Sequence, residues 1–111
     1  MAEIAESIVQ GAELMVGLAN LLCEGIPDEK FAFKAIDNLA HPAFIMGHIA
    51  MYAEDVLDFA GRSDLAQHDE VWEKPFAMGA ECLGDASLYP SKEQIMRRFN
   101  ERYTVALAEA R

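Results

Sequence analysis

The sequence predicts an all-α protein, an antiparallel bundle of three main helices at about residues 2–24, 42–60 and 91–111. Three observations carry that prediction. Apolar residues recur at helical spacing in each of the three segments. Each segment carries a start or a stop signal: Gly25 and Pro27 end the first, Pro42 and Gly61 mark the second, and Ser91 opens the third. No segment carries a strand signal.

The first helix is marked by Ile4, Ile8, Met15, Leu18 and Leu22, with Ala5, Ala12 and Ala19 filling in. Gly25 suits the position just past its end, and Pro27 stands where a helix cannot continue. Gly11 and Gly17 lower its helix propensity and suggest close packing against a neighbour. Residues 26–40 read as a connection with one short helical turn. Pro42 suits the first turn of the second helix, and His41 before it is biased away from helical dihedrals. That helix runs to about Ala60, with Gly61 as its cap.

Residues 62–90 are the least regular part, with Pro75, Gly79, Gly84 and Pro90 dispersed among charges. Trp72 and Phe76 are expected to pin this long loop over a helix pair. Ser91 and Gln94 form a capping box that opens the third helix. Ile95, Phe99, Ala106 and Ala110 make its stripe, with Met96, Tyr103 and Leu107 beside it. The pattern is still amphipathic at Arg111. Three expectations follow: the helix finishes there, a partner helix is missing by C-terminal truncation, or the unit completes itself by dimerising.

Composition narrows the function classes. The chain has 111 residues, the length of one domain spanning 1–111. Its formal net charge of −10 argues against nucleic acid and anionic membranes as partners. The excess is uneven, with 16 Asp/Glu against 4 Lys/Arg in residues 1–90, and 3 against 5 in residues 91–111. The basic last segment can therefore pair with an acidic face. Two cysteines, Cys23 and Cys82, are too few for a disulfide framework and form no C-x-x-C. No signal peptide or membrane-length apolar run is visible, so a cytoplasmic location is expected.

The candidate for chemistry is His48, in the stretch HPAFIMGHIAMYAEDVLDF. On a helical wheel it borders the apolar arc, between Asp55 on one flank and Tyr52 and Phe59 on the other. Glu54, Asp55 and Asp58 occupy the arc expected to face solvent. A border histidine can hold a defined tautomer and still be reached from a pocket. A catalytic zinc site normally needs three protein ligands. His41 stands roughly 10 Å from His48 by the standard helical rise, too far to share an ion as helix neighbours. No H-x-x-x-H or E-x-x-H pair occurs, and His68, Asp55 or Glu54 would have to approach through the fold. From the residues alone, His48 reads first as a histidine at the edge of a core, and His41 as the structural start of its helix.

The stretch HPAFIMGHIAMYAEDVL resembles the second-helix signature of the DinB-like superfamily, in which a hydrophobic-Gly-His-hydrophobic-Ala run follows a polar turn. LLCEGIPDEKFAFK is similar to that family's link from helix 1, and YPSKEQIMRRFNE to its start of helix 3. The resemblance implies a four-helix bundle running up-down-down-up, with a long connection between helices 2 and 3. It implies a divalent metal, zinc or nickel, bound by His48 and two histidines of a fourth helix. It implies thiol S-transferase or metal-dependent hydrolase chemistry in a complete domain, and a homodimer. Residues that would supply the fourth helix do not follow Arg111, so no stoichiometric metal is expected in this chain. The alternative reading is a non-catalytic dimerising or ligand-binding helical module.

Overall fold

The computed structural model describes residues 2–34, 40–77, 80–83 and 86–110. Among them the regular structure is helical: α1 (Ala2–Glu24), α2 (Asp28–Phe31), α3 (Pro42–Phe59), α4 (Glu70–Glu73), a 3-10 turn at Ala86–Leu88 and α5 (Lys92–Ala110). The three long helices lie within a residue of their expected bounds, and Arg111 falls outside the described residues. The short turn expected in the first connection is α2.

The caps explain the boundaries. His41 Nδ1 accepts the Phe44 N–H at 3.1 Å, so this histidine is the N-cap of α3, and Pro42 follows in the first turn. At the other end Gly61 takes φ 78°, the left-handed region. Its N–H reaches the Asp58 carbonyl at 3.1 Å, and the Arg62 N–H reaches Leu57 at 2.8 Å. Those two bonds are a Schellman termination. Ser91 and Gln94 form the reciprocal capping box before α5, each accepting the other's backbone N–H, at 3.0 and 3.2 Å.

Helix α3 lies parallel to α5. Their starts meet where His41 sits edge-on to Tyr89 at 4.7 Å. Their middles meet where the Tyr103 hydroxyl donates to the Ile49 carbonyl at 2.9 Å. Their ends meet where Arg62 Nη1 pairs with Glu109 at 2.6 Å. Parallel neighbours require a crossover, and residues 60–91 supply it. Helix α1 runs antiparallel to α5: Asn20 and Asn100 exchange side-chain bonds at 2.7 and 2.8 Å, and Lys92 Nζ reaches the Ile26 carbonyl at 2.6 Å. The antiparallel arrangement expected for the bundle therefore holds for α1, while α3 and α5 share a direction.

The core lies mainly between α3 and α5. Ala43, Met46, Ala50, Ala53 and Leu57 of α3 are buried against Ile95, Phe99, Tyr103 and Ala106 of α5. Small residues on α3 bring the backbones close. Phe76 pins the crossover as expected: it is fully buried, and its ring packs on the Gly47 backbone where a Cβ would overlap it. Trp72 packs beside Phe76 and under the Arg98 guanidinium.

Helix α1 departs from the sequence reading. Its buried side is Val9 and Cys23, with Ala12, Met15, Val16 and Ala19 packed alongside. Ile4, Ile8, Leu18 and Leu22, picked out by periodicity, are each more than half exposed. The reason is that α1 carries two apolar stripes, and only one is covered within the chain. Gly11 and Gly17 likewise meet no neighbour: a Cβ on either would find nothing within 4 Å.

Candidate functional site

His48 is partly buried on the crossover side of α3, with both ring nitrogens engaged. Nδ1 lies 2.6 Å from the Phe76 carbonyl, which can only accept, so Nδ1 carries the proton. Nε2 lies 2.9 Å from the Tyr52 hydroxyl and accepts from it. Phe44 stacks on the ring at 6.2 Å. Anchoring Nδ1–H on a backbone carbonyl fixes the tautomer with the lone pair on Nε2, the orientation common in metal-binding histidines, and here the Tyr52 hydroxyl takes that lone pair. The donor set is incomplete, however. Among the described residues, the His, Cys, Asp and Glu group with ligand atoms within 4.8 Å of one another is Asp55, Asp58 and His68, without His48. His48 offers one ligand to an ion that needs three. His41 does not join it, since its Nδ1 caps α3 and its Nε2–H donates to the Leu83 carbonyl at 2.9 Å.

His68 approaches α3 from the crossover, but one face away from His48. Its Nε2 is 2.8 Å from Asp58 and its Nδ1 is 3.4 Å from Glu73. The hydrogen bond to Asp58 raises the His68 pKa above its ordinary value. In return His68, and secondarily the Ser63 side chain, hold the Asp58 carboxyl below the usual carboxylate range. The cluster is exposed, so it serves as an ion-paired clasp joining α4 and the crossover to α3. Sequence reasoning allowed His68 to approach but gave no signal for Asp58, because their contact depends on the crossover path.

Beside this clasp lies an apolar groove of about 530 Å³ between the start of α1 and the end of α3. Ile8, Val9, Tyr52, Val56, Phe59 and Ala110 line it, with Asp55 at its rim. Tyr52, which flanks His48 on the wheel, is a groove wall, and its hydroxyl holds His48. Phe59 stands 96% exposed at the mouth. Tyr52, Val56 and Phe59 of α3 thus share this groove with Ile8 of the uncovered side of α1.

Glu54 corrects the sequence reading most sharply. It was placed with Asp55 and Asp58 on the solvent side, yet it is 1% exposed and bonded to Arg102. Cys23 and Cys82 are free thiols. Burial pushes the Cys23 thiol pKa up, away from a reactive thiolate. Tyr103 is pushed up to about 12, chiefly by burial. No helix among the described residues is long and apolar enough to cross a membrane.

No family model, no curated protein and no solved structure matches the chain.

Proposed function

We propose that this chain is a non-catalytic helical module that works by associating with a second copy of itself. The observation that carries the reading is the uncovered stripe of α1. Ile4, Ile8, Leu14, Leu18, Leu21 and Leu22 are all more than half exposed along one helix. Large contiguous apolar surface of this kind marks an interaction face. Fully burying each such side chain is worth about 1.5–3 kcal/mol, so six in one patch are a strong drive to association. The test is light scattering of the purified chain over a range of concentrations. A dimer is expected, and Leu18→Glu with Leu22→Glu is expected to return it to monomer with its helicity intact. A wild-type chain that stays monomeric throughout overturns the reading.

A second reading rests on His48. Its Nδ1–H anchored on the Phe76 carbonyl supports a role as one metal ligand of a DinB-like bundle, and the parallel run of α3 and α5 after a long crossover is in keeping with that family's up-down-down-up order. In that reading zinc or nickel would act as a Lewis acid in hydrolase or S-transferase chemistry, with ligands beyond His48 coming from outside the described residues. Metal analysis separates the two readings. Stoichiometric zinc or nickel that is lost in His48→Ala supports the second; its absence, with unchanged folding in that variant, counts against it.

A further inference from the structure

We propose that the second copy docks through a two-fold antiparallel pairing of α1 with α1, in which Gly11 of each chain seats Met15 of the other. The inference rests on the self-association reading and adds the interface, direction and register. Ile4, Ile8, Gly11, Met15, Leu18 and Leu22 follow one another at intervals of four, three, four, three and four. That is the alternation of a coiled-coil seam. A two-fold axis beside residue 13 sets Ile4 opposite Leu22, Ile8 opposite Leu18 and Gly11 opposite Met15. The seam therefore matches itself in reverse, as an isologous contact requires.

Gly11 gives the direction. It weakens the helix, and within the chain no neighbour needs its small size, since a Cβ there meets nothing within 4 Å. A parallel pairing would set Gly11 against Gly11 and leave a void. The antiparallel one fills that space with Met15, which is half-buried at the border between the core and the seam and has the longest and most adaptable side chain of the seam. Leu18 of the second copy then lies opposite Ile8, at the mouth of the groove where Phe59 is exposed.

Area and charge favour a second copy over an unrelated partner. Each exposed aliphatic offers on the order of 60–100 Å² of apolar area, so α1 alone supplies roughly 500 Å². The groove walls and Phe59 bring this toward the ~800 Å² per partner of a standard interface. The seam contains no charged residue that would select a partner of opposite sign; Ser7, Leu14 and Leu21 flank it on one side, and Ala12 and Ala19 turn into the core on the other. Glu6, Glu13 and Glu24 fall on the remaining arc of the wheel and Glu3 lies at the edge of the seam in line with Leu21, so the seam itself sets no carboxylates against each other.

The test combines a distance and a shape measurement. Nitroxide labels on Gln10→Cys or Glu24→Cys, each with Cys23→Ala and Cys82→Ser, are read by double electron–electron resonance in the full-length dimer. The pairing offsets the two Gln10 labels by about 9 Å along the helices and the two Glu24 labels by about 33 Å. A short Gln10 distance and a clearly longer Glu24 distance are expected. Equal short distances mean a parallel pair, and two long ones a different face; either overturns the proposal while leaving self-association standing. A monomer by light scattering would instead remove the reading beneath it. Gly11→Leu, made with the native cysteines, is the independent arm. It is expected to keep or raise the chain's helicity while raising the dimer dissociation constant at least tenfold. Gly17→Leu, equally open but off the seam, should leave that constant unchanged. A Gly11→Leu dimer as tight as wild type overturns the register.

Discussion

Arg102 and Glu54 form a buried ion pair at the centre of the α3–α5 contact: Nη2 and Nε donate to Oε1 at 2.7 and 3.0 Å, and Nε also reaches Oε2 at 3.1 Å. Both groups also bond to the crossover. Arg102 Nη2 donates to the Leu65 carbonyl at 2.8 Å, and Glu54 Oε1 accepts the Gln67 N–H at 3.0 Å. The pair thus fixes the path of the chain after α3 as well as the register of the two helices. Removing one partner leaves a charge buried without its counter-ion, so Arg102→Met and Glu54→Leu should each cost about 3–5 kcal/mol. The double variant should recover most of that loss, because an apolar pair needs no desolvation. Urea unfolding of the two singles and the double checks this. A double variant as unstable as the singles would show that the crossover bonds, more than the charges, were lost.

The His68–Asp58 clasp makes stability depend on pH from both sides. His68 has a raised pKa in the folded chain, so its contribution is fully present below its ordinary value near 6.5 and fades as pH rises through the folded value. Asp58 has a lowered pKa, so its contribution is present above its ordinary value near 3.8 and fades as pH falls through the folded value. The clasp is therefore complete between about pH 4 and 6.5 and weakens as pH rises above that window. His68→Gln should flatten the decline in urea midpoint above about pH 6.5 and shrink the acid limb as well, since His68 is the chief group holding the Asp58 carboxyl down. A decline that persists unchanged in this variant would assign it to another group.

The helices were legible because their signals are local. Caps at His41, Ser91 and Gly61 and the 3.6-residue repeat lie within a few positions of the structure they specify. What the sequence hid depends on partners far along the chain. Glu54 neighbours Asp55 and resembles it in every local respect, yet one is buried and the other exposed, because Arg102 lies 48 residues away. A hint existed in α5: Arg102 continues the spacing of Ile95, Phe99 and Ala106, so a charge stood on the buried stripe. In α1 the periodicity found Met15, Ala12 and Ala19, which pack on the core, together with Ile4, Ile8, Leu18 and Leu22, which the chain leaves uncovered, since nothing local says which part of a broad apolar arc is covered. At the candidate site the position of His48 was legible from the wheel, while its Phe76 partner was not, being set by the crossover.

Gly47 is the point where the crossover touches α3. Its Cα faces the Phe76 ring so closely that Gly47→Ala would drive a methyl into the ring. Overpacking of a filled core typically costs 1–3 kcal/mol, against a gain of about 1 kcal/mol from replacing glycine in a helix. A net loss of thermal stability is expected, with the His48–Phe76 bond disturbed as the ring shifts. Adding Phe76→Leu should restore part of the loss in the Gly47→Ala background while destabilising the wild type. A stabilised Gly47→Ala would mean that Phe76 moves aside freely.

Salt gives a separate handle on the dimer. Each chain carries a formal charge of −10, so joining two of them works against long-range repulsion even though the seam itself is uncharged. Raising ionic strength from 0.1 to 1 M shortens the screening length from about 10 to 3 Å. That relieves the repulsion and leaves apolar burial in place. The dissociation constant should therefore fall several-fold across that range, as followed by sedimentation equilibrium. An interface held by ion pairs between chains would respond in the opposite sense. A dimer that weakens with salt would place the contact on the charged faces of the molecule, away from the α1 seam.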